Sequence, residues 1–488
     1  MGRKRKSKKQ RKGEGNSTES GTVMNICDLP DPILYHILSS LPTKDAIRTS
    51  VLSKMWEHLW KNISKIELRE NYHNYLEQPE PVKRQKFMDF ATKLLRDCDC
   101  SNLKKFDLIC SVDENASQVN QWLCGFINPE IEEISLRFED IWEPLVFPDH
   151  LFTCATLTQF DLRMKHIFKL PSSIHFQSLR MLRLVSVIFP DSSSTQNLFS
   201  GCPALEELAL IYCNLKNVKA FFISSPLLQT IDIVDKEDEE DDGLNVSKKV
   251  VIFGTNLTSF NYSGDFPNEY SLCDSASVIN ASIMVQVPPS PNCWDDECMI
   301  YSRLLDLGRF VFKLLRELPN LEWLTISDDF VLALSRTRLL LKYLPFFPNL
   351  VELNFSSIDE SIDLSYPGLS AMFHNSPNLE VIRFVKGVFL PKDDATCILD
   401  CIPMCFSTDL KLIEISGFDG EEEELFAIKV LLQAASVLSK LIIRSYSFRY
   451  NGDDIDRGER LDKLHHQILR YPRRSMDCEI DVEHIVIG

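Results

Sequence analysis

An apolar string that recurs along most of the chain constrains the fold more than any other feature. It reads L-x-x-L-x-L with apolar substitutions, and its leading residues are mostly 22 to 31 positions apart. A Pro-x-Leu segment often opens it, as in CPALEEL and FPNLVEL. Random apolar clustering would not keep this phase, so the pattern predicts a stack of repeats. The copies begin at Leu103, Ile131, Leu157, Leu179, Leu205, Leu228, Leu257, Val278 (a degenerate copy), Leu321, Leu350, Leu379, Leu410 and Leu438.

This string is typical of the strand segment of a leucine-rich repeat. Its last two apolar residues should point inward from a short strand, while the residue between them points outward. Stacked strands then form a parallel sheet on a concave face, with helices or turns on the convex side, which predicts the α/β fold class. Cys213 is expected to satisfy backbone groups in a turn. The outward positions are Asp107, Ser135, Asp161, Arg183, Ala209, Asp232, Asn261, Thr325, Asn354, Arg383, Glu414 and Ile442.

Ahead of the repeats, residues 28–60 form a short block with helical spacing of apolar residues. Three helices of about ten residues cannot bury this apolar surface among themselves, so part of it is expected to face a partner. The alternative is a small helical cap on the neighbouring repeats. The first helix is predicted to be capped by Asp31, with Pro32 in its first turn, and to end at Pro42. A second helix is predicted from Thr43 through Leu52. A third, capped by Ser53, carries Trp56 and Trp60.

The block closely resembles the F-box of plant F-box proteins, in which LP-x-x-x-L-x-x-ILS-x-LPTKDA-x-x-TS-x-LSKRW-x-x-LW is the recurring string. The chain contains these segments in order and without a gap, and its one visible departure is Met55 in place of the usual Arg. The resemblance implies that the block binds a Skp-type adaptor and, through it, a cullin. The residues implied for that contact are Leu29, Pro30, Leu34, Ile37, Leu38, Leu41, Pro42, Leu52 and Trp56.

Residues 405–481 resemble the FBD region that ends many plant F-box/LRR proteins. The segments that carry this resemblance include Gly417-Phe418, Gly420 and Cys478-Glu479-Ile480. The local pattern predicts a strand, a Gly turn, an acid-started helix and a second strand. Glu421 to Glu424 would then stand at the helix N-terminus, where the macrodipole stabilises negative charge. The segment is expected to be a folded cap that closes the end of the repeat stack.

The predicted layout is a basic disordered tail (1–23), the F-box (24–66), a linker and amphipathic helix (67–97), about thirteen repeats (98–446) and the FBD region (405–481) overlapping the last of them. An insertion at 287–319 is predicted to hold a helix capped by Ser302, with its apolar face at Leu304, Leu307, Val311, Leu314 and Leu318. The acidic run from Asp235 to Asp242 predicts a solvated loop, and a site for a basic partner is the alternative.

The net charge of −17 is unevenly distributed. Residues 1–12 carry eight basic side chains and no acid, which leaves about −25 on the rest. A strongly acidic body argues against nucleic acid as the main ligand. No apolar run approaches the roughly 18 residues needed to cross a bilayer, so no membrane partner is expected. The basic cluster predicts a nuclear protein, also cytoplasmic in part, with a merely solvated tail as the alternative; its residues are Arg3, Lys4, Arg5, Lys6, Lys8, Lys9, Arg11 and Lys12.

Fifteen cysteines are scattered through apolar strings and are expected to be reduced, half-buried thiols. Cys397, Cys401 and Cys405 are spaced by four, but a proline interrupts the helix that would align them. Cys293 and Cys298 lie in a Pro-rich stretch with acids between them. Neither cluster forms a paired C-x-x-C arrangement, and no His lies near either in the sequence. Neither a metal nor a cofactor is therefore expected.

Together the resemblances imply the substrate receptor of an SCF-type cullin-RING ubiquitin ligase, in which the F-box holds the adaptor and the repeats hold a target protein. The alternative is a repeat scaffold whose F-box is inactive or works outside a ligase. A self-contained enzyme is disfavoured because the sequence has no nucleophile–base motif, phosphate loop or metal set. Target capture is predicted on the concave face, by charge and hydrogen-bond complementarity, on the later repeats between Leu321 and Ile443. The candidate residues on that face are Arg183, Asp232, Asn354, Arg383 and Glu414, and the alternative for each is an ordinary solvated strand position.

Overall fold

The computed structural model describes residues 26, 29–70, 81–235, 248–287, 297–356, 361–392, 401–448 and 463–487. At the start of these ranges three short helices pack together, with 3-10 turns at Thr49–Val51 and Trp60–Asn62. They are α1 (Asp31–Ser39), α2 (Thr43–Arg48) and α3 (Trp56–Leu59). The three helices predicted for the F-box are thus present, although the second and third are shorter than expected.

Fifteen parallel strands form one sheet that runs the length of the repeats, in chain order. Thirteen of these strands coincide with the thirteen predicted strings, which confirms the parallel α/β repeat fold. The strands are β1 (Lys65–Arg69), β2 (Lys105–Asp113), β3 (Glu133–Ile141), β4 (Gln159–Met164), β5 (Met181–Val185), β6 (Glu207–Ile211), β8 (Thr230–Val234), β10 (Ser259–Gly264), β12 (Asn280–Val285), β13 (Trp323–Ile326), β14 (Glu352–Phe355), β16 (Val381–Phe384), β18 (Leu412–Ser416), β19 (Lys440–Phe448) and β20 (Glu479–Ile487).

The segments between these strands supply the remaining elements. The helices are α4 (Pro81–Asp97), α5 (Ala116–Phe126), α6 (Ser192–Ser200), α7 (Glu297–Arg316), α8 (Asp328–Arg336), α9 (Arg338–Leu341), α10 (Pro367–His374), α11 (Met404–Thr408) and α12 (Glu422–Ala434). A second parallel sheet contains β7 (Ala220–Ser224), β9 (Lys249–Phe253) and β11 (Glu269–Cys273), and a short pair contains β15 (Ile362–Asp363) and β17 (Val388–Phe389). The prediction of only helices or turns there was therefore wrong for these repeats, whose β-branched and aromatic residues favour strands.

All the predicted outward residues lie in one row across the main sheet. The Cα pairing runs Asp107, Ser135, Asp161, Arg183, Ala209, Asp232, Asn261, Ser282, Thr325, Asn354, Arg383, Glu414, Ile442. We call this the outward row, and the side of the sheet that it occupies the open face. On either side of Asn354, Leu353 and Phe355 are fully buried, as the predicted alternation requires. The strand phase is therefore confirmed.

The inward residues form a continuous core behind the open face. Phe106 of β2 packs on Phe126 of α5 with ring centroids 5.0 Å apart. Phe355 stacks on Phe384 of the next repeat at the same distance. Each fully buried Leu or Phe contributes about 1.5–3 kcal/mol relative to exposure, so the stack is held together chiefly by its core. The predicted apolar face of α7 is buried in this core as well, at Leu304, Leu307, Val311, Leu314 and Leu318.

The sheet extends by one strand beyond the predicted repeats at each end, through β1 and β20. A signal for β1 was present, because Ile63, Ile66 and Leu68 repeat the L-x-x-L-x-L spacing and are buried. The first strand thus lies at the junction between the predicted F-box and the predicted linker. The amphipathic helix expected after that linker is present as α4.

Four helix starts differ from the prediction. Asp31 and Thr43 are the first residues of α1 and α2 and do not cap them. The Thr43 hydroxyl instead accepts the backbone N–H of Glu67 at 2.7 Å. Ser53 precedes α3 by three residues, and Ser302 lies in the second turn of α7. In contrast, Cys213 satisfies a turn as predicted, since its thiol donates to the Leu184 carbonyl at 3.3 Å.

Candidate functional surfaces

An apolar groove of about 360 Å³ opens on the surface of the F-box helices. Leu52 on its wall is 67% exposed, and the neighbouring Val51 is 85% exposed. Contiguous apolar surface of this kind is unfavourable in water and marks a contact surface. The groove is lined by Ile26, Ile37, Leu41, Thr49, Leu52, Ser53 and Trp56.

The structure separates the nine residues predicted to contact an adaptor into two groups. Six of them are exposed or half-buried on the F-box: Leu29, Pro30, Ile37, Leu41, Pro42 and Leu52. Trp56 is 4% exposed but still forms part of the groove wall. Leu34 and Leu38 are wholly buried, so the structure assigns them to the core of the F-box in place of the predicted adaptor contact.

Sequence reasoning missed four further apolar residues on the F-box surface. Ile26 lines the groove, and Ile33, Val51 and Met55 are exposed. Ile33 lies one turn before Ile37, and this spacing of four places both on one side of α1. Met55 is the position at which the family string has Arg, so the substitution enlarges the apolar surface here.

Two hydrogen bonds fasten the F-box to the beginning of the main sheet. The Ser39 hydroxyl accepts the backbone N–H of Ser64 at 3.0 Å, immediately before β1. The Thr43 hydroxyl accepts the N–H of Glu67 within β1. Because both bonds join helices to the first strand, the groove has a fixed orientation relative to the repeats.

Five charged residues form a chain of ion pairs on the open face of the last five strands. Arg383 binds Glu352 and, at 3.2 Å, Glu414. Arg444 binds the same Glu414 and, at 2.7 Å, Glu483. The signs therefore alternate from β14 to β20. Pairing within the protein accounts for the polarity of Arg383 and Glu414, which the sequence alone attributed to a target.

The pKa values of the paired groups reflect these contacts. Burial works against the charge on Arg383, but the hydrogen bonds and charges of its acidic neighbours outweigh it and raise the pKa of Arg383. The hydrogen bond to Glu483 raises the pKa of Arg444. Burial also opposes ionisation of Glu352, yet hydrogen bonds from Arg383 and Asn354 hold the pKa of Glu352 below its usual value. The cluster thus favours the charged form of each of these groups.

The five predicted target residues fall into one cluster and two separate positions. Asn354, Arg383 and Glu414 are adjacent in the outward row. Asp232 lies four strands away from Asn354, where it accepts a hydrogen bond from Asn261 at 2.6 Å. Arg183 lies six strands away from Asn354, about 29 Å at about 4.8 Å per strand. Arg183 is exposed and forms no ion pair within the described ranges.

Asp235, the first residue of the predicted acidic run, is buried just after β8. The Tyr270 hydroxyl donates to its carboxylate, and the Asn268 amide donates to the same oxygen at 3.3 Å. Burial outweighs these bonds and raises the pKa of Asp235 to about 6. This residue is therefore part of the interior, and the rest of the run, residues 236–242, lies outside the described residues.

The basic residues between Arg3 and Lys12, together with Cys293 and Cys397, also lie outside the described residues. Within the described ranges, no helix has the length and hydropathy to cross a membrane. The same ranges contain no group of three or more His, Cys, Asp or Glu that could hold a metal ion.

Comparison with known proteins places three family models on the chain. The F-box domain matches residues 26–67, the FBD model matches residues 400–443, and the model described as "FBD-associated F-box protein At5g56370, LRR repeats" matches residues 119–249. The F-box/LRR-repeat protein At3g26922 of Arabidopsis thaliana is 34% identical over 216 residues, which are 44% of this chain and 68% of that protein. The chain belongs to the F-box/LRR-repeat family.

Other members of the family match the chain over different lengths. The putative F-box/FBD/LRR-repeat protein At5g22670 of the same plant is 27% identical over 475 residues, 96% of this chain and all of that protein. The F-box/FBD/LRR-repeat protein At3g52680 is 34% identical over 233 residues, 46% of this chain and 49% of that protein. The groove described above lies within the F-box match.

In this F-box/LRR-repeat protein, the FBD match covers elements of the main sheet itself. It includes β18 and α12 and reaches into β19, and the ion pairs of Glu414 lie on its open face. The predicted Gly turn is present at Gly417 and Gly420, which have positive φ of 75° and 82°. Glu421 caps α12, and the Glu424 carboxylate accepts the N–H of Gly420 at 2.7 Å and of Glu421 at 2.9 Å. The FBD region thus continues the repeat stack with the acid-started helix expected there.

Proposed function

We propose that this F-box/LRR-repeat protein is the substrate-recognition subunit of an SCF-type cullin-RING ubiquitin ligase, and that its F-box binds a Skp-type adaptor. The observation that supports this most is the exposed apolar groove within the F-box match, with Leu52 67% exposed on its wall. Proteins of this family are generally adaptors or receptors. A receptor role needs such a docking surface at one end and a binding face elsewhere.

The main sheet supplies that second face. Its fifteen strands extend over about 67 Å at about 4.8 Å per strand, beginning at the F-box. An adaptor on the F-box groove would leave most of the open face free, and repeat stacks commonly bind partners on their strand surface. This length favours a role in which a target is held at a distance from the adaptor.

We place target capture on the open face. The target would bind there through charges and hydrogen bonds complementary to the side chains of the outward row. Arg183 is the residue of this set most available to a target, because it is exposed and forms no ion pair in the part of the chain that the structure describes. Arg383 and Glu414 would have to exchange their present partners for those of the target. We therefore expect a negatively charged group of the target near Arg183.

Co-purification of the full chain with a Skp-type adaptor and a cullin tests the role. A ligase receptor brings down both, whereas a scaffold outside a ligase brings down the adaptor alone or neither. Replacing Leu29 and Pro30 by Ala should remove anchors worth roughly 1–3 kcal/mol each and weaken recovery of both partners. Leu227→Ala is the matched control, because Leu227 is an exposed leucine far along the chain from the F-box. Unchanged recovery with the double substitution would contradict the proposed adaptor contact of Leu29 and Pro30.

We further propose that the basic cluster between Arg3 and Lys12 directs the protein to the nucleus. A fluorescent fusion that lacks residues 2–12 should then shift toward the cytoplasm. A fusion that lacks residues 13–23 is the matched control, since it removes an equally long segment that contains no Lys or Arg. Equal nuclear signal in both fusions and in the intact protein would overturn this proposal.

A further inference from the structure

A second recess, of about 430 Å³ and of mixed polar and apolar lining, lies between the end of α7 and the turn that follows α9. The helical turn continues past α9, because the backbone N–H of Tyr343 donates to the carbonyl of Leu340 at 2.8 Å. In this stretch Leu339 and Tyr343 are 79% and 74% exposed. The recess is lined by Phe312, Arg316, Leu340, Tyr343 and Leu344.

Exposed cations accompany Leu339 and Tyr343 in the chain or line the recess. Arg316 lines the recess itself, and Arg338 and Lys342 are four residues apart, one position before Leu339 and Tyr343. Like charges at this spacing repel each other. Arg316, Arg338 and Lys342 form no ion pair or side-chain hydrogen bond within the described residues. We call these three cations with Leu339 and Tyr343 the basic-aromatic patch.

The acid next to Arg316 in the chain is engaged elsewhere. Glu317, next to Arg316 in the chain, accepts the backbone N–H of Leu272 at 2.7 Å. In contrast to Arg316, Lys313 one turn earlier in α7 forms an ion pair with Glu269 at 2.6 Å. The patch therefore presents three cations without an ion pair among the described residues, in a protein whose net charge is −17.

We propose that the basic-aromatic patch is a docking site for an acidic segment of a partner protein that carries a large apolar side chain beside its carboxylates. The recess would take the apolar side chain, while Arg316, Arg338 and Lys342 would bind the carboxylates through charge-assisted hydrogen bonds. An anionic membrane or a nucleic acid fits less well, because both would be repelled by the acidic body over a wide surface. The site stands on its own geometry and does not depend on the ligase role.

Selection of random twelve-residue peptides displayed on phage against the full chain tests this proposal. The binding of the enriched peptides is then measured by fluorescence anisotropy with four proteins. They are the wild type, two patch variants and a control. One patch variant reverses the charges (Arg316→Glu, Arg338→Glu, Lys342→Glu), and the other removes the apolar side chains (Leu339→Ser, Tyr343→Ser). The control makes the same change of charge at exposed lysines elsewhere (Lys93→Glu, Lys169→Glu, Lys216→Glu).

The expected result is a set of peptides in which Asp or Glu flanks one Leu, Phe or Trp. These peptides should bind the wild type and the control equally, and both patch variants at least about tenfold more weakly. No enrichment of such peptides, or equal binding to all four proteins, would overturn the proposal. A third outcome would also overturn it: phosphatidylserine vesicles or single-stranded DNA bind the wild type but not the charge-reversal variant, and the acidic peptides bind neither. Self-association that the patch variants abolish would assign the surface to a second copy of the chain and would equally overturn it.

Discussion

The F-box groove and the open face of the last repeats are both candidate binding surfaces, yet they differ in what their side chains already contact. In the groove, Leu52 and its neighbours expose apolar atoms that nothing in the described structure covers. On the open face, Arg383 and Glu414 are paired with charges on adjacent strands. The first surface is incomplete without a partner, whereas the second is largely satisfied by itself.

This difference shows which kind of sequence signal identifies a binding residue. A polar residue at an outward strand position can be explained by its neighbours in the stack, since residues about thirty positions apart meet in the row. An apolar residue that the fold leaves exposed has no such explanation, because its burial would lower the free energy. Exposed apolar surface is therefore the stronger indicator of a partner in this protein.

The largest effect expected from this comparison is inside the F-box. Leu38→Ala should lower the free energy of unfolding by about 2–5 kcal/mol, because Leu38 is fully buried and the substitution leaves a cavity. Leu52→Ala should change it by no more than about 0.5 kcal/mol, because Leu52 is exposed. Hydrogen exchange of the backbone amides in α1 to α3 measures both. Similar losses for the two variants would show that the groove is closed in solution and would remove the contrast with the open face.

A smaller effect is expected on the open face. Arg383→Gln removes the cation between Glu352 and Glu414 and should lower the free energy of unfolding by about 1 kcal/mol, as expected for partly exposed ion pairs in a network. Arg183→Gln is the matched control in the same row and should stay within about 0.5 kcal/mol. Urea unfolding of both variants gives the comparison. A loss for Arg183→Gln as large as for Arg383→Gln would contradict the view that Arg383 is held in ion pairs and Arg183 is not.

The smallest effect concerns pH. Because hydrogen bonds hold the pKa of Glu352 below its usual value, its ionised form adds stability above the pKa of an unfolded Glu, about 4.3, and this stability is lost as pH falls through the folded pKa. The contribution should be below about 1 kcal/mol, since the pair is partly solvated. Glu352→Gln should therefore reduce the difference in unfolding free energy between pH 7 and pH 3, and Leu52→Ala should not. An unchanged difference in Glu352→Gln would show that this ion pair is not formed in solution.

Much of the fold can be predicted from the repeated apolar spacing of the sequence, because each repeat carries the same spacing and adjacent copies must stack in register. The outward row follows from this spacing alone. The strands β7, β9 and β11 were not foreseen, since short segments such as those beginning at Ala220 and Lys249 lie outside the repeated string. The first strand was not predicted, because Ile63, Ile66 and Leu68 directly follow the apolar residues of the F-box and were not distinguished from them.

The candidate sites were less accessible to sequence reasoning. Helical spacing identifies Leu34, Ile37, Leu38 and Leu41 together, but only the packing of the three helices decides that Leu34 and Leu38 are interior and the other two line the groove. The ion-pair partners of Arg383 likewise depend on the pairing of strands across the sheet.

The affinity of the full chain for a Skp-type adaptor, measured by titration calorimetry, tests the central claim most directly. Leu52→Glu would place a charge at the buried centre of the proposed interface and should raise Kd by about a hundredfold or more. Leu227→Glu, at an exposed leucine away from the F-box, should leave Kd unchanged. No measurable binding by the wild type, or the same Kd for the wild type and Leu52→Glu, would contradict the claim that the F-box groove is the adaptor site.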